Sequence, residues 1–62
     1  MQKLKELRIN AGLSQRELAA RAGLTPGAVW NVEHRRSASP ATLKKIADVL
    51  GVQPVALLKE RD

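Results

Sequence analysis

Three residues, Ala22-Gly23-Leu24, separate two short helical stretches, and that brevity constrains the fold more than any other feature of the sequence. Upstream, Leu18, Ala19 and Ala22 recur at the spacing of one helical face, and downstream Val29 and Val32 do the same. A connector this short does not let the two helices stack antiparallel. A glycine turn of that length instead lets them cross steeply, as in a helix-turn-helix. Ala19 is small enough for the two backbones to approach. Leu18, Leu24, Val29 and Val32 would fill the angle between them.

The same punctuation divides the rest of the chain. Residues 1–11 carry Leu4, Leu7 and Ala11 on one helical face, with Gly12 placed to end the helix in a left-handed cap. Ser14-Gln15-Arg16-Glu17 fits a capping box, in which the serine hydroxyl serves the Glu17 amide and Glu17 reaches back. A second helix then runs to about Ala22 and stops at Gly23. Thr25 caps a third helix with Pro26 at its first position, where the missing N–H costs nothing and the fixed φ suits the helix. Ser39-Pro40 repeats the device for a fourth helix, about 40–50, with Leu43, Ile46, Ala47 and Leu50 on one face and Gly51 at its end. Gln53-Pro54 opens a short fifth helix carrying Val55, Leu57 and Leu58. No segment alternates with a period of two, so strands are not expected. The expectation is an all-α domain of five helices spanning residues 1–62, without repeats, linkers or low-complexity segments.

Composition narrows the function. A hydrophobic share of 44% suffices for a core and is too high for a disordered tail. Cysteine is absent, which removes disulfides and a thiolate zinc site. One histidine and no phosphate-cradling glycine loop leave no catalytic set, so neither an enzyme nor a cofactor nor a metal is expected. No apolar run approaches the ~18 residues of a membrane span. The charged start MQKLKELR has no apolar stretch behind it, so a secretory signal is not expected and the chain reads as soluble and intracellular. Eleven Lys and Arg against six Asp and Glu give +5, a large excess that favours a polyanionic partner. Between Leu18 and Ala47 the only acid is Glu33, whereas Arg21, Arg35, Arg36, Lys44 and Lys45 fall in that span.

Residues 15–33, within SQRELAARAGLTPGAVWNVE, resemble the helix-turn-helix of phage-repressor-type transcription factors, the Cro and lambda-repressor-like (XRE) family. The matching features are small Ala19 early, Ala22-Gly23-Leu24 at the turn, Val29 and Val32 late, and Glu33 closing. The resemblance extends outwards through LKELRINAGLS before and PATLKKIADVLGVQPVALL after, and so covers residues 4–58. It implies a five-helix lambda-repressor-like domain whose second and third helices form the helix-turn-helix. The third helix, about 26–34, would lie in the major groove of double-stranded DNA with its N-terminal half against base edges.

Thr25, Pro26, Gly27, Trp30 and Asn31 map to positions that face DNA in relatives. Relatives often carry longer polar side chains at the positions of Pro26 and Gly27, so two usual hydrogen-bonding readers are missing here. Either this pair lets the backbone approach closely, with Pro26 or Thr25 touching a thymine methyl, or it merely starts a helix. Asn31 is the candidate for direct readout, since an amide pairs bidentately with adenine. Trp30 has two readings: a stack on a deoxyribose or backbone edge, or a partial core residue folded over the loop near Ser37. Phosphate contacts are expected from Gln15 and Arg16 at the start of the second helix, and from His34, Arg35 and Arg36 after the third. Arg35 stands where relatives often have glycine. Arg8 and Glu33 occupy positions that commonly form an ion pair, a scaffolding role. Lys3, Lys5, Lys59 and Arg61 read as ordinary solvated charges.

The resulting expectation is a sequence-specific transcriptional regulator acting by repression, cytoplasmic and nucleoid-associated in a bacterial or phage setting. The rival is a protein-interaction or antitoxin-like module of the same fold. Relatives bind two-fold related half-sites, which implies a homodimer. The segment VQPVALL supplies its expected surface, because Pro54, Val55, Leu57 and Leu58 cannot all face one core.

Overall fold

The computed structural model describes residues 2–34 and 38–58, and within them lie five helices and no strand. They are α1 (Gln2–Asn10), α2 (Gln15–Ala22), α3 (Pro26–His34), α4 (Pro40–Leu50) and α5 (Pro54–Leu58). Each start is dictated locally. At α2 the Ser14 hydroxyl accepts from the Glu17 amide at 3.0 Å, and the Glu17 carboxylate accepts from the Ser14 amide at 2.9 Å. That reciprocal bond, chiefly the Ser14 backbone N–H, holds the Glu17 carboxyl below the usual carboxylate range, with help from the Ser14 hydroxyl and Arg21. At α4 the Ser39 hydroxyl accepts from the Thr42 amide at 3.2 Å, with Pro40 in the first turn.

The ends of α1, α2 and α4 share one geometry. After α2, Gly23 takes φ 72°, its N–H reaches back to Ala20, and the Leu24 N–H bonds the Ala19 carbonyl at 2.8 Å. This is the Schellman arrangement, in which a left-handed residue lets the chain reverse while satisfying the last carbonyls. The Leu13 and Val52 amides make the equivalent bonds to Arg8 and Ala47 after α1 and α4. In each case the apolar residue after the glycine, Leu13, Leu24 or Val52, folds against the core. The turns thus contribute to packing as well as reversing the chain.

α2 packs on α3 and α4, while α5 packs against α1 and α4, and α1 also touches α3. The core consists of Leu4, Leu18, Ala19, Val29, Val32, Leu43, Ile46, Ala47 and Leu57, all aliphatic. Ala22 is also buried, and Leu7 and Leu50 pack around the margin. Two expectations need correction. The first helix ends at Asn10, so Ala11 sits in the turn, exposed, and does not extend the face of Leu4 and Leu7. Leu57, expected on the dimer surface, is completely buried in the domain's own core. A five-residue helix has too few turns for its sequence to reveal which leucine points inward.

A Cβ added at Gly23 would meet nothing within 4 Å, so its substitution is opposed by backbone conformation alone. Gly23→Ala should therefore destabilise the domain by about 1–2 kcal/mol. In thermal melts this should appear as a lower midpoint, by roughly 4–8 °C per kcal/mol. An unchanged midpoint would show that the turn relaxes out of the left-handed region.

Candidate nucleic-acid interface

α3 has two sides of different character. Val29 and Val32 face the core. Pro26, Gly27, Trp30, Asn31 and His34 are exposed, and their i, i+3 and i+4 spacings put them on one outward stripe. The helix begins where it does because the Thr25 hydroxyl accepts from the Ala28 amide at 3.2 Å, and Pro26 has no N–H to leave unpaired. Thr25 thus caps α3 as its place before Pro26 implied, and its hydroxyl is engaged within the protein. Pro26 and Gly27 add no polar side chain, which leaves Asn31 as the one side-chain amide of the stripe.

The stripe is held in place by a carboxylate. The Glu33 side chain is 2% exposed and that of Arg8 is 11% exposed, and they form the ion pair expected of them. Arg8 donates through Nε to Glu33 Oε2 and through Nη2 to Oε1, while its Nη1 bonds the Leu13 carbonyl at 2.8 Å. Gln15 adds a bond from Nε2 to Glu33 Oε1 at 2.9 Å. One carboxylate near the end of α3 thus ties α1, the loop after it and the first residue of α2. For Gln15 this differs from the simple phosphate contact expected, since its amide is engaged inside the protein. What α2 presents outward at this end is its first backbone N–H groups, ahead of the capped Glu17 amide, and the exposed side chains of Arg16 and Glu17.

Trp30 is 49% exposed and outside the core. Its indole stacks on the His34 imidazole, with ring centroids 3.9 Å apart and planes 17° from parallel. His34 Nδ1–H also donates to the Trp30 carbonyl at 2.9 Å, since a carbonyl can only accept. Sequence reasoning missed this pair, although the i, i+4 spacing of two rings on one helix was the signal that could have found it. Arg35, Arg36 and Ser37 lie outside the described residues, as do Lys59 and Arg61. On α5, Val55 and Leu58 are exposed at 59% and 50%, and Pro54 is half-buried.

No cavity opens among the described residues, and no group of His, Asp or Glu there could hold a metal ion. What this region offers a partner is a convex surface, an amide and a supported ring on a basic chain. No helix of the described residues is long and apolar enough to cross a membrane.

Compared with known families, residues 4–57 match the model described as helix-turn-helix, of the Cro-repressor or XRE type. The chain belongs to that family, one of DNA-binding transcription regulators and not typically of enzymes. Its all-helical, five-helix architecture is that of a lambda-repressor-like domain. No curated protein matches the chain.

Two stability measurements follow. Arg8→Ala leaves a carboxylate without its cation in a nearly water-free position, and should cost about 3–5 kcal/mol in urea unfolding. A cost below 1 kcal/mol would mean that the pair contributes little. Gly27 is helical, exposed and open around a notional Cβ, so Gly27→Ala should raise stability by about 0.5–1 kcal/mol. A loss of stability would indicate that the free protein itself needs glycine there.

Proposed function

We propose that the chain is a sequence-specific, double-stranded DNA-binding repressor that inserts α3 into the major groove. The observation that carries this reading is the outward stripe Pro26-Gly27-Trp30-Asn31-His34 on a helix whose opposite side is locked into the core. Family membership supplies the class of partner, and the formal charge of +5 supplies the attraction to it. Asn31 reads a base edge, while Thr25, Pro26 and Gly27 let the helix tip approach closely, with Pro26 or Thr25 against a thymine methyl. The start of α2, through the Gln15 backbone N–H and the Arg16 side chain, together with Arg35 and Arg36, takes backbone phosphates and fixes the register. Burying Glu33 against Arg8 keeps the carboxylate of α3 away from those phosphates.

The protein acts as a homodimer, joined through Val55 and Leu58 with Pro54 at their edge, and represses by occupying DNA that polymerase needs. It works in a bacterial or phage-infected cytoplasm, on the nucleoid. The competing reading, an antitoxin-like or other protein-binding module, draws on the absence of long polar side chains at Pro26 and Gly27.

Selection of bound sequences from random duplexes tests the reading, with an enriched site of two-fold symmetry expected. Affinity for that site should fall linearly on a log–log salt plot. Asn31→Ala should then weaken binding by about 1–3 kcal/mol and relax preference at one base pair per half-site. Equal losses on the selected site and on random DNA would remove Asn31 from the readers.

A further inference from the structure

We infer that the exposed face of Trp30 is a packing surface for an apolar C–H edge of a nucleotide, and that His34 is a positioning residue which braces it. The idea rests on the DNA-binding reading above but gives His34 a different task from a phosphate clamp. Three observations carry it. The imidazole lies parallel on one face of the indole, so one side of that ring is covered from within the helix. About half of Trp30 is still exposed, and no second ring is stacked on it among the described residues. The His34 ring is itself anchored, through Nδ1–H to the Trp30 carbonyl.

The hydrogen bond decides what His34 has left to offer. With Nδ1–H directed to the Trp30 carbonyl, only Nε2 is left for any other contact. A ring fixed by stacking and by its own hydrogen bond is, however, a good support. Helical side chains lean toward the N-terminus, which brings residue i+4 over residue i and gives His34 its place on the indole. Trp30 would otherwise choose among several rotamers at the moment of binding, and immobilising it beforehand reduces the entropy lost there.

Position indicates what meets the free face. Trp30 lies one turn from Pro26 and Gly27, the part of α3 with least side-chain bulk, and beside Asn31. Where that tip approaches base edges, a bulky flat ring one turn later reaches a nucleotide's deoxyribose or a thymine 5-methyl group. Both present C–H bonds to the π face, and both suit an aromatic surface that makes few polar demands.

The full chain permits a direct test, because Trp30 is its only tryptophan and tyrosine and phenylalanine are absent. Titrating the protein with the selected duplex should change Trp30 emission in step with binding measured independently. Replacing dT by dU at each site position removes only the methyl group. A drop in affinity confined to one dU position assigns the methyl, and an emission change that survives every dU substitution assigns the sugar.

His34→Ala should weaken binding to the selected duplex about three- to tenfold, within the range expected for losing support of one stacked contact. His34→Phe keeps a ring on the indole and should stay within about twofold of the parent. His34→Lys supplies charge without a ring and should be as weak as the alanine variant, with the salt slope of all three unchanged. Melting curves confirm that each exposed-site variant is folded. Two results would overturn the proposal: lysine rescuing where phenylalanine does not, or Trp30 emission indifferent to bound duplex. Failure of the parent chain to select any duplex overturns the DNA-binding reading and this proposal together, and is seen before any variant is made.

Discussion

A single carboxylate, Glu33, sets the spatial relation between the two helices that matter most. It belongs to α3, yet its bonds go to Arg8 in α1 and to Gln15 at the first position of α2. Arg8 in turn holds the Leu13 carbonyl, so the loop between α1 and α2 is fixed by the same guanidinium. The start of α2 and the end of α3 are the two places proposed above to meet the DNA backbone. Both are held by an interaction that is nearly closed to water. A charge pair in such a position contributes little net stability compared with an apolar substitute, but it tolerates few alternative geometries. Its value here is the definition of an angle.

The rest of the stability comes from a small aliphatic core and from turns that reuse one design. An aromatic ring buries more area than any aliphatic side chain, and a 62-residue chain has little area to spare. This protein nevertheless places its one aromatic on the surface of α3, supported by a histidine and not by the core. Gly27 points the same way. It stands in a helix where alanine fits and where nothing in the folded chain calls for glycine. Two residues on the same stripe thus run against what stability alone would choose, which is the pattern expected where a surface is shaped for a partner.

Features set by neighbours in sequence were legible in the sequence. Ser14 with Glu17, Ser39 with Pro40, and Gly23 and Gly51 announce their helix ends through bonds that span three to five residues. The inward faces of α2 and α4 follow from periodicity. The Arg8–Glu33 pair was reached through family resemblance, since nothing in the spacing of residues 25 apart requires it. The bond from Gln15 to Glu33 was missed because it depends on where α2 and α3 cross, which no local pattern encodes. Leu57 was misassigned, and Ala11 was carried one residue too far along a helix that Gly12 had already begun to unwind. The Trp30–His34 stack was hidden by competition: the same ring suited a DNA contact or a partly buried place over the loop near Ser37, and only the fold shows its immediate neighbour.

The contents of the stripe also bear on assembly. Specific protein–DNA complexes are typically bound more tightly than non-specific ones by roughly 4–10 kcal/mol. A bidentate amide contributes about 1–3 kcal/mol of discrimination. One α3, with Asn31 as its only amide and with apolar contacts at its tip and at Trp30, reaches the lower end of that range at best. Pro26 and Gly27 remove the long readers that would otherwise raise it. Two copies related by a two-fold axis double the discrimination without changing any residue of the stripe. Under the proposed reading, a chain without hydrogen-bonding readers at its helix tip would depend more, not less, on acting in pairs, and the outward-facing Val55 and Leu58 are where we propose such a pair is made.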